Sequence, residues 1–408
     1  MTQDTKLDSE NIFEPLIFPA DGLPKIIDSD EELLSACVSL AKGTGPIAID
    51  AERASSFRYS ARAYLIQIRR QNSGTFLIDP LAISNFSELS KTLSDVEWIL
   101  HAATQDLACL AELSLIPSKL FDTEHAGRLL GRQRVGLQAL LESEMNLSLA
   151  KEHSAADWST RPLPEPWLVY AALDVEKLIE LREILVEDLK DKNRLHWAEQ
   201  DFAHLVNWKP NPALPEPWRK TSGIHKVRDP RQLAIVRELW IERDRIAKER
   251  DKSVSKVLPD LAIIDIAKLE LKSARDVYLL ESLRNRSHKS LADHWWDVRQ
   301  SALSLKESDL PKTNSGINSI PPTKAWEEKN PEAHARFTKI RPKVLEISES
   351  LEVAPEIIIS PEVVRQLCWS GYETISGKTE LEEWLSLQKV RQWQTELLIS
   401  DFHQLLFT

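Results

Sequence analysis

The chain has 408 residues, 42% hydrophobic and 28% charged, which is enough for two or three domains that each bury a core. Three scattered cysteines in apolar surroundings, a polar and acidic start, and no apolar run as long as a membrane span lead us to expect a cytoplasmic protein with reduced core thiols. They speak against a disulfide framework, a zinc site, a signal peptide or a transmembrane helix.

The net charge of −11 argues against phosphate binding over the whole surface. It is unevenly placed, however: Arg219 to Gln300 holds 19 Lys/Arg against 13 Asp/Glu, a net of +6 set against −17 for the remainder. A basic module on an acidic chain is compatible with nucleic acid.

Residues 1–25 read as an N-terminal tail, followed by a helix near Glu31 to Lys42. Pro46 to Glu52 (PIAIDAE) then reads as a buried strand ending in two carboxylates. Side chains alternate along a strand, so Asp50 and Glu52 share a face. Two like charges that close repel unless a cation lies between them, and hard oxygen ligands suit Mg²⁺ or Mn²⁺. Taken alone, D-x-E reads first as a solvated strand end, and the metal reading depends on partners further along the chain. Tyr64 to Arg69 and Thr75 to Ile78 are two further strands joined by a turn at Asn72-Ser73-Gly74. A short helix near Phe86 to Leu93 leads to a fourth strand, Glu97 to His101. A hairpin followed by helix and strand indicates a mixed sheet covered by helices.

Past that strand, Leu107, Leu110 and Ala111 lie at helical spacing and put Asp106 at a helix start, where a cap and a ligand are both open readings. His101 reads as a rim histidine or a substrate contact. Asp122 reads as a cap, and Gly131 to Gly136 as a basic loop. A helix from about Pro166 to Leu189 carries Tyr170 and Asp174 one turn apart on one face.

The order D-x-E (Asp50, Glu52), H-x₄-D (His101, Asp106) and Y-x₃-D (Tyr170, Asp174) resembles the DEDDy exonucleases. The words YLIQI, FLIDPL, ILHAATQDL, FDTEHAGRLLG and DWSTRPLPEPWLVYAALDV narrow the resemblance to the ribonuclease D family. Asp229-Pro-Arg-Gln-Leu, Arg237-Glu-Leu-Trp and Val257-Leu-Pro-Asp resemble an HRDC domain, and the last helical stretch resembles a second, weaker copy. The implied fold is an α/β ribonuclease H-like exonuclease domain followed by two all-α HRDC-type helical domains. The boundaries expected are 1–25 tail, 26–208 exonuclease, 209–222 linker, 223–303 HRDC, 304–330 linker and 331–408 second HRDC-like domain.

The resemblance implies a metal-dependent 3′–5′ exoribonuclease acting on tRNA precursors and other small structured RNAs. Asp50, Glu52, Asp106 and Asp174 would hold two divalent metal ions, Mg²⁺ or Mn²⁺, with Tyr170 completing the catalytic set. Nucleic-acid contacts are expected from His101 and Arg53 beside the site and from Arg243, Lys248 and Arg250 in the basic segment. Arg58, Arg69 and Arg70 read either as phosphate contacts or as solvated charge. The family favours a monomer with no membrane partner. A DEDDy DNA exonuclease of repair would share the same five residues, while a non-catalytic binding protein would be expected to have lost one of them.

Overall fold

The computed structural model describes residues 13–149, 155–210, 212, 214–313 and 320–407. In the first domain the strands are β1 (Glu14–Leu16), β2 (Ile26–Ile27), β3 (Thr44–Arg53), β4 (Ala63–Gln71), β5 (Gly74–Ile78), β6 (Glu97–Leu100), β7 (Lys119–Asp122) and β8 (Leu147–Leu149). One six-stranded sheet runs in the order β2-β5-β4-β3-β6-β7. Strands β3, β4 and β5 are antiparallel, and β6 and β7 continue parallel to β3. The expected hairpin turn is present. Asn72 and Gly74 both take positive φ, 64° and 88°, which suits a tight connection between twisted strands.

Alternation along β3 and β4 divides the sheet into two faces. Ile47, Ile49, Ile66 and Ile68 enter the main core, whereas Leu65 and Leu77 join a second cluster with Trp158, Ala171 and Ala172. Asp50 and Glu52 have the parity of this second face, where they pair across the ladder with Gln67 and Leu65. The helix Glu165–Glu176 packs over it. The segment leading into that helix is pinned to the sheet: Arg161 donates to both oxygens of Asp79 at 2.6 and 2.7 Å and to the Tyr64 carbonyl at 2.7 Å, beside a fully buried Trp158.

Several expectations are corrected. The helix expected from Pro166 to Leu189 is two, Glu165–Glu176 and Leu178–Asp191, with Lys177 leaving helical geometry at φ −117°, ψ 8°. The break lets the first helix cover β3, β4 and β5 while the second turns onto β3 and β6. Of the expected tail, residues 1–12 lie outside the described residues. Glu14–Leu16 pairs with β8, and Ala20 donates its N–H to the buried Glu176, so this segment is part of the domain. The two stretches expected as linkers each hold a tryptophan that packs into a core. Trp218 joins the core of the second domain, and Trp326 joins that of the third.

The second domain is helical, led by Pro230–Glu249, Asp260–Lys268 and Ala292–Leu303, and has a core of its own. The third is helical too, with Pro331–Leu351, Pro361–Trp369, Lys378–Leu387 and Gln392–Phe407. Lys389, at φ 62°, reverses the chain between the last two. That reversal brings Arg391 and Trp393 onto the buried Asp201 of the first domain, at 2.9 and 3.3 Å, and stacks Trp393 on Trp197 at 4.5 Å. One hydrophobic core therefore runs through the first and third domains. All three cysteines are buried and free, and among the described residues no helix is long and apolar enough to cross a membrane.

At Gly131, which takes φ +78°, the backbone of the first domain runs close against that of the third. A Cβ there would lie 2.0 Å from the Glu352 carbonyl oxygen, so the two backbones meet where only glycine fits. Gly131→Ala should therefore lower stability by about 2 kcal/mol or more in chemical denaturation, through overpacking together with an unfavourable φ. Gly136→Ala, at an open position of ordinary φ −62°, should be close to neutral, and equal effects from the two would contradict this account.

Candidate active site

The site lies where three chain segments meet at the C-terminal ends of β3 and β6. Asp50 and Glu52 close β3 on the face that the helix Glu165–Glu176 covers, and this helix supplies Tyr170 and Asp174. Strand β6 runs parallel beside β3, with Ile47 opposite Trp98 and Ala48 opposite Ile99, so the chain leaving β6 emerges next to Asp50. That turn carries His101 and Asp106. Its geometry is set by Asp122, which accepts backbone N–H bonds from Ala102, Ala103, Glu124 and His125. These bonds stabilise Ala102 in the left-handed region at φ 57° and swing Asp106 back over the sheet. Asp122 is the cap it was expected to be.

Asp106 is not a cap. It stands at the start of the helix Leu107–Glu112, but its side chain makes no capping bond. It lines a cleft of about 380 Å³ with Asp50, Glu52, His101, Tyr170 and Asp174. Asp50, Glu52 and Asp174 each offer a carboxylate oxygen, all within 4.8 Å of one another. Three hard oxygen donors at that spacing fit a divalent cation of the Mg²⁺ or Mn²⁺ type. Asp106 lies outside this group of three and faces Arg53, whose Nε is 3.7 Å from its Oδ1.

Burial and mutual repulsion dominate the electrostatics. Burial pushes Asp50 up to about 6, with Arg53 acting in the opposite sense. Burial, then Asp50, Asp174 and Asp106, push Glu52 up to about 10. Burial and the charge on Asp50 hold Asp106 and Asp174 well above the usual carboxylate range, and the Tyr170 hydroxyl donated to Asp174 opposes this in part. Tyr170 itself is pushed far up by burial and by its carboxylate neighbours. Arg53 is the cation that acts on Asp50, Glu52 and Asp106 alike.

The structure thus gathers all five residues expected at the site. His101 lines the same cleft. Its Nδ1 lies 2.9 Å from the Thr123 hydroxyl, which is also 3.3 Å from the Leu100 carbonyl oxygen. Arg243 is corrected. It is buried in the second domain, donating to the Leu258 carbonyl at 3.1 Å and to Asp260 at 2.6 Å, and so holds the helical module together instead of facing a ligand. Lys248 and Arg250 are exposed. Arg69 and Arg70 are engaged within their own domain, Arg69 with Asp21, Thr75 and Glu176 and Arg70 with the Leu40 and Gly45 carbonyls.

Sequence reasoning missed the place of Arg53 against Asp106. Strict alternation turns residue 53 away from Asp50 and Glu52. Arg53 nevertheless reaches Asp106 from the very end of β3, next to a register break that leaves Tyr64 as an extra residue on β4. It also missed Gln67, which is fully buried and pairs across the ladder with Asp50.

Comparison with known proteins agrees with this architecture. A family model for 3′-5′ exonuclease matches residues 24–190, one for the HRDC domain matches residues 232–295, and one for a 3′ to 5′ exonuclease C-terminal domain matches residues 319–406. Ribonuclease D of Jannaschia sp. (strain CCS1) is 30% identical over 306 residues, 72% of this chain and 78% of the relative. A crystal structure of a protein from Bifidobacterium adolescentis superposes with a TM-score of 0.88 at 35% identity, covering 97% of this chain and all of that one. Escherichia coli RNase D, an exoribonuclease involved in structured RNA processing, superposes at 0.68 with 26% identity over 94% and 98% of the two chains. The chain belongs to the ribonuclease D family and is a 3′–5′ exoribonuclease, a hydrolase of phosphodiester bonds.

Proposed function

We propose that this enzyme trims single-stranded 3′ ends of tRNA precursors and other small structured RNAs, with Asp50, Glu52, Asp106, Tyr170 and Asp174 as its catalytic residues. The observation that carries the reading is the convergence of four carboxylates and a phenol, from three separate segments, in one open cleft. The exonuclease family is metal-dependent, and the donor set suits two divalent ions, Mg²⁺ or Mn²⁺. Asp50, Glu52 and Asp174 would hold one of them, and Asp50 with Asp106 the other. Two such ions, when bound, supply charge stabilisation to the attacking and leaving oxygens of an in-line displacement.

The residues themselves orient and neutralise. Burial and the neighbouring carboxylates hold the Tyr170 proton in the metal-free cleft. Its hydroxyl, bonded to Asp174, would position the attacking water. Arg53 stands at the cleft with a guanidinium that can pass from Asp106 to a phosphate oxygen. The body of the RNA would lie on the basic second domain, where Lys248 and Arg250 are exposed. The structured-RNA role of the E. coli relative supports this class of substrate.

Wild-type protein with Mg²⁺ should shorten a 3′-extended tRNA one nucleotide at a time, releasing nucleoside 5′-monophosphates. Asp50→Ala and Asp174→Ala should each cost at least about 10²-fold in rate. Internal cuts, or activity that survives Asp50→Ala, would overturn the assignment.

The raised carboxylates also set a pH dependence. A folded-state pKa above the unfolded value means that the folded protein holds protons the unfolded chain has lost, so stability declines as pH rises. For Asp50 the decline spans its ordinary 3.8 to about 6, and for Glu52 it runs from 4.5 to about 10. In chelator, Asp50→Asn should therefore melt above wild type, and the gap should widen as pH rises from about 4 to about 6. Mn²⁺ should raise the wild-type midpoint at about pH 8 more than that of the variant. A gap that stays constant with pH would rule out this charge balance.

The two kinds of basic residue in the second domain can be told apart. Arg243→Ala should cost about 2 kcal/mol of stability through the unpartnered groups it leaves behind. Lys248→Ala and Arg250→Ala should each flatten the slope of log affinity against log salt by about 0.7, without altering the unfolding midpoint. A salt slope changed by Arg243→Ala in a fully folded protein would reverse the correction made above.

A further inference from the structure

The loop that follows β3, residues 54–60, forms one wall of the cleft through Ser55 and Ser56. It is a tight turn, with the Phe57 and Arg58 N–H groups both donating to the Ala54 carbonyl at 2.8 Å. The second domain grips this turn from outside, chiefly by its backbone. Asp251 Oδ1 accepts the N–H groups of Tyr59 and Ser60 at 3.2 and 3.0 Å. Ser253 donates its N–H to the Phe57 carbonyl at 3.1 Å and its hydroxyl to the Ser56 carbonyl at 2.9 Å. Two side-chain contacts flank these bonds: the Tyr59 hydroxyl donates to Asp244 at 3.1 Å, and Lys256 Nζ lies 3.8 Å from the centre of the Phe57 ring.

The grip extends to a second lining segment. Arg58 Nε donates to the Ser159 hydroxyl at 2.8 Å, and Ser159 donates in turn to Asp157. Asp157 directly follows Ala155 and Ala156, which also line the cleft. Two lining segments are thus tied to one loop, and that loop is held at its main chain by two residues of the helical module. Asp251 takes φ 43°, just past the end of the helix Pro230–Glu249, a conformation that aspartate tolerates better than most residues. Charge-assisted bonds to backbone N–H groups are among the stronger ones available to hold a loop, and Ser253 is buried in the contact.

We propose that the second domain positions the walls of the active site, with Asp251 and Ser253 as positioning residues for the exonuclease reaction, in addition to any hold it has on RNA. This rests on the active-site reading given above. The consequence is that the module contributes to turnover even on a substrate too short to touch it.

The test uses the full chain with Asp251→Ala and Ser253→Ala, a two-nucleotide RNA and a 3′-extended tRNA. Both variants should lose about 10- to 100-fold in kcat on the dinucleotide and on the tRNA alike, as expected for misplaced substrate-orienting groups, while affinity for the tRNA measured in chelator stays the same. Asp251→Asn keeps an acceptor oxygen and should recover most of the rate. Hydrogen exchange at the Tyr59 and Ser60 amides should speed up in Asp251→Ala, with the unfolding midpoint of the second domain retained. Dinucleotide cleavage at the wild-type rate by a folded Asp251→Ala would overturn the proposal, as would an Asp251→Asn variant no better than Asp251→Ala. Wild-type protein that cleaves neither substrate would instead overturn the active-site reading, and this inference with it.

Discussion

Four carboxylates share one cleft, and the rest of the first domain is built around that electrostatic conflict. Charges of one sign at such spacing repel, and burial adds a desolvation cost, so each of them is driven toward its neutral form. A chain that only had to fold would not keep them together. Here the backbone leaves them little freedom to separate: β3 fixes two by parity, a packed helix fixes a third, and the four backbone N–H bonds to Asp122 fix the turn that delivers the fourth. Arg53, beside the one carboxylate outside the group of three, offsets part of the repulsion on Asp50, Glu52 and Asp106. The arrangement favours binding of a cation because the protein alone satisfies it poorly.

Much of this was legible in the sequence because it depends on short periods. A D-x-E at the end of an apolar run places two carboxylates on one face of a strand, and Y-x₃-D places a phenol and a carboxylate on one side of a helix. Neither inference needs any knowledge of tertiary structure. Asp106 was legible only as part of the joint pattern, since its local context equally suits a cap; the orientation that excludes capping comes from Asp122, sixteen residues further on.

What was not legible depends on contacts distant in sequence. The break at Lys177 follows from the need to cover two regions of a twisted sheet, and no glycine or proline announces it. Arg243 looked like surface charge in a basic segment, but it is buried because Asp260 and the Leu258 carbonyl meet it. Arg53 meets Asp106, a residue more than fifty positions away, at the end of β3 where the regular ladder is interrupted. The tryptophans at 218 and 326 sit in proline-rich stretches that read as linkers, and a core on either side claims them.

The hydrophobic core that runs through the first and third domains also bears on the order in which the chain can mature. Trp197 stacks on Trp393, and Asp201 waits for Arg391, nearly two hundred residues later. During synthesis the catalytic domain emerges first, followed by a helical module with a core of its own, and only then by the helices that cover the catalytic domain's remaining apolar side. For that interval the nascent chain carries an open hydrophobic face behind an already assembled middle domain. The last stretch of the polypeptide thus acts as a closing piece for the first, and a ribosome that stalls late in the message releases a catalytic domain with its apolar flank still uncovered.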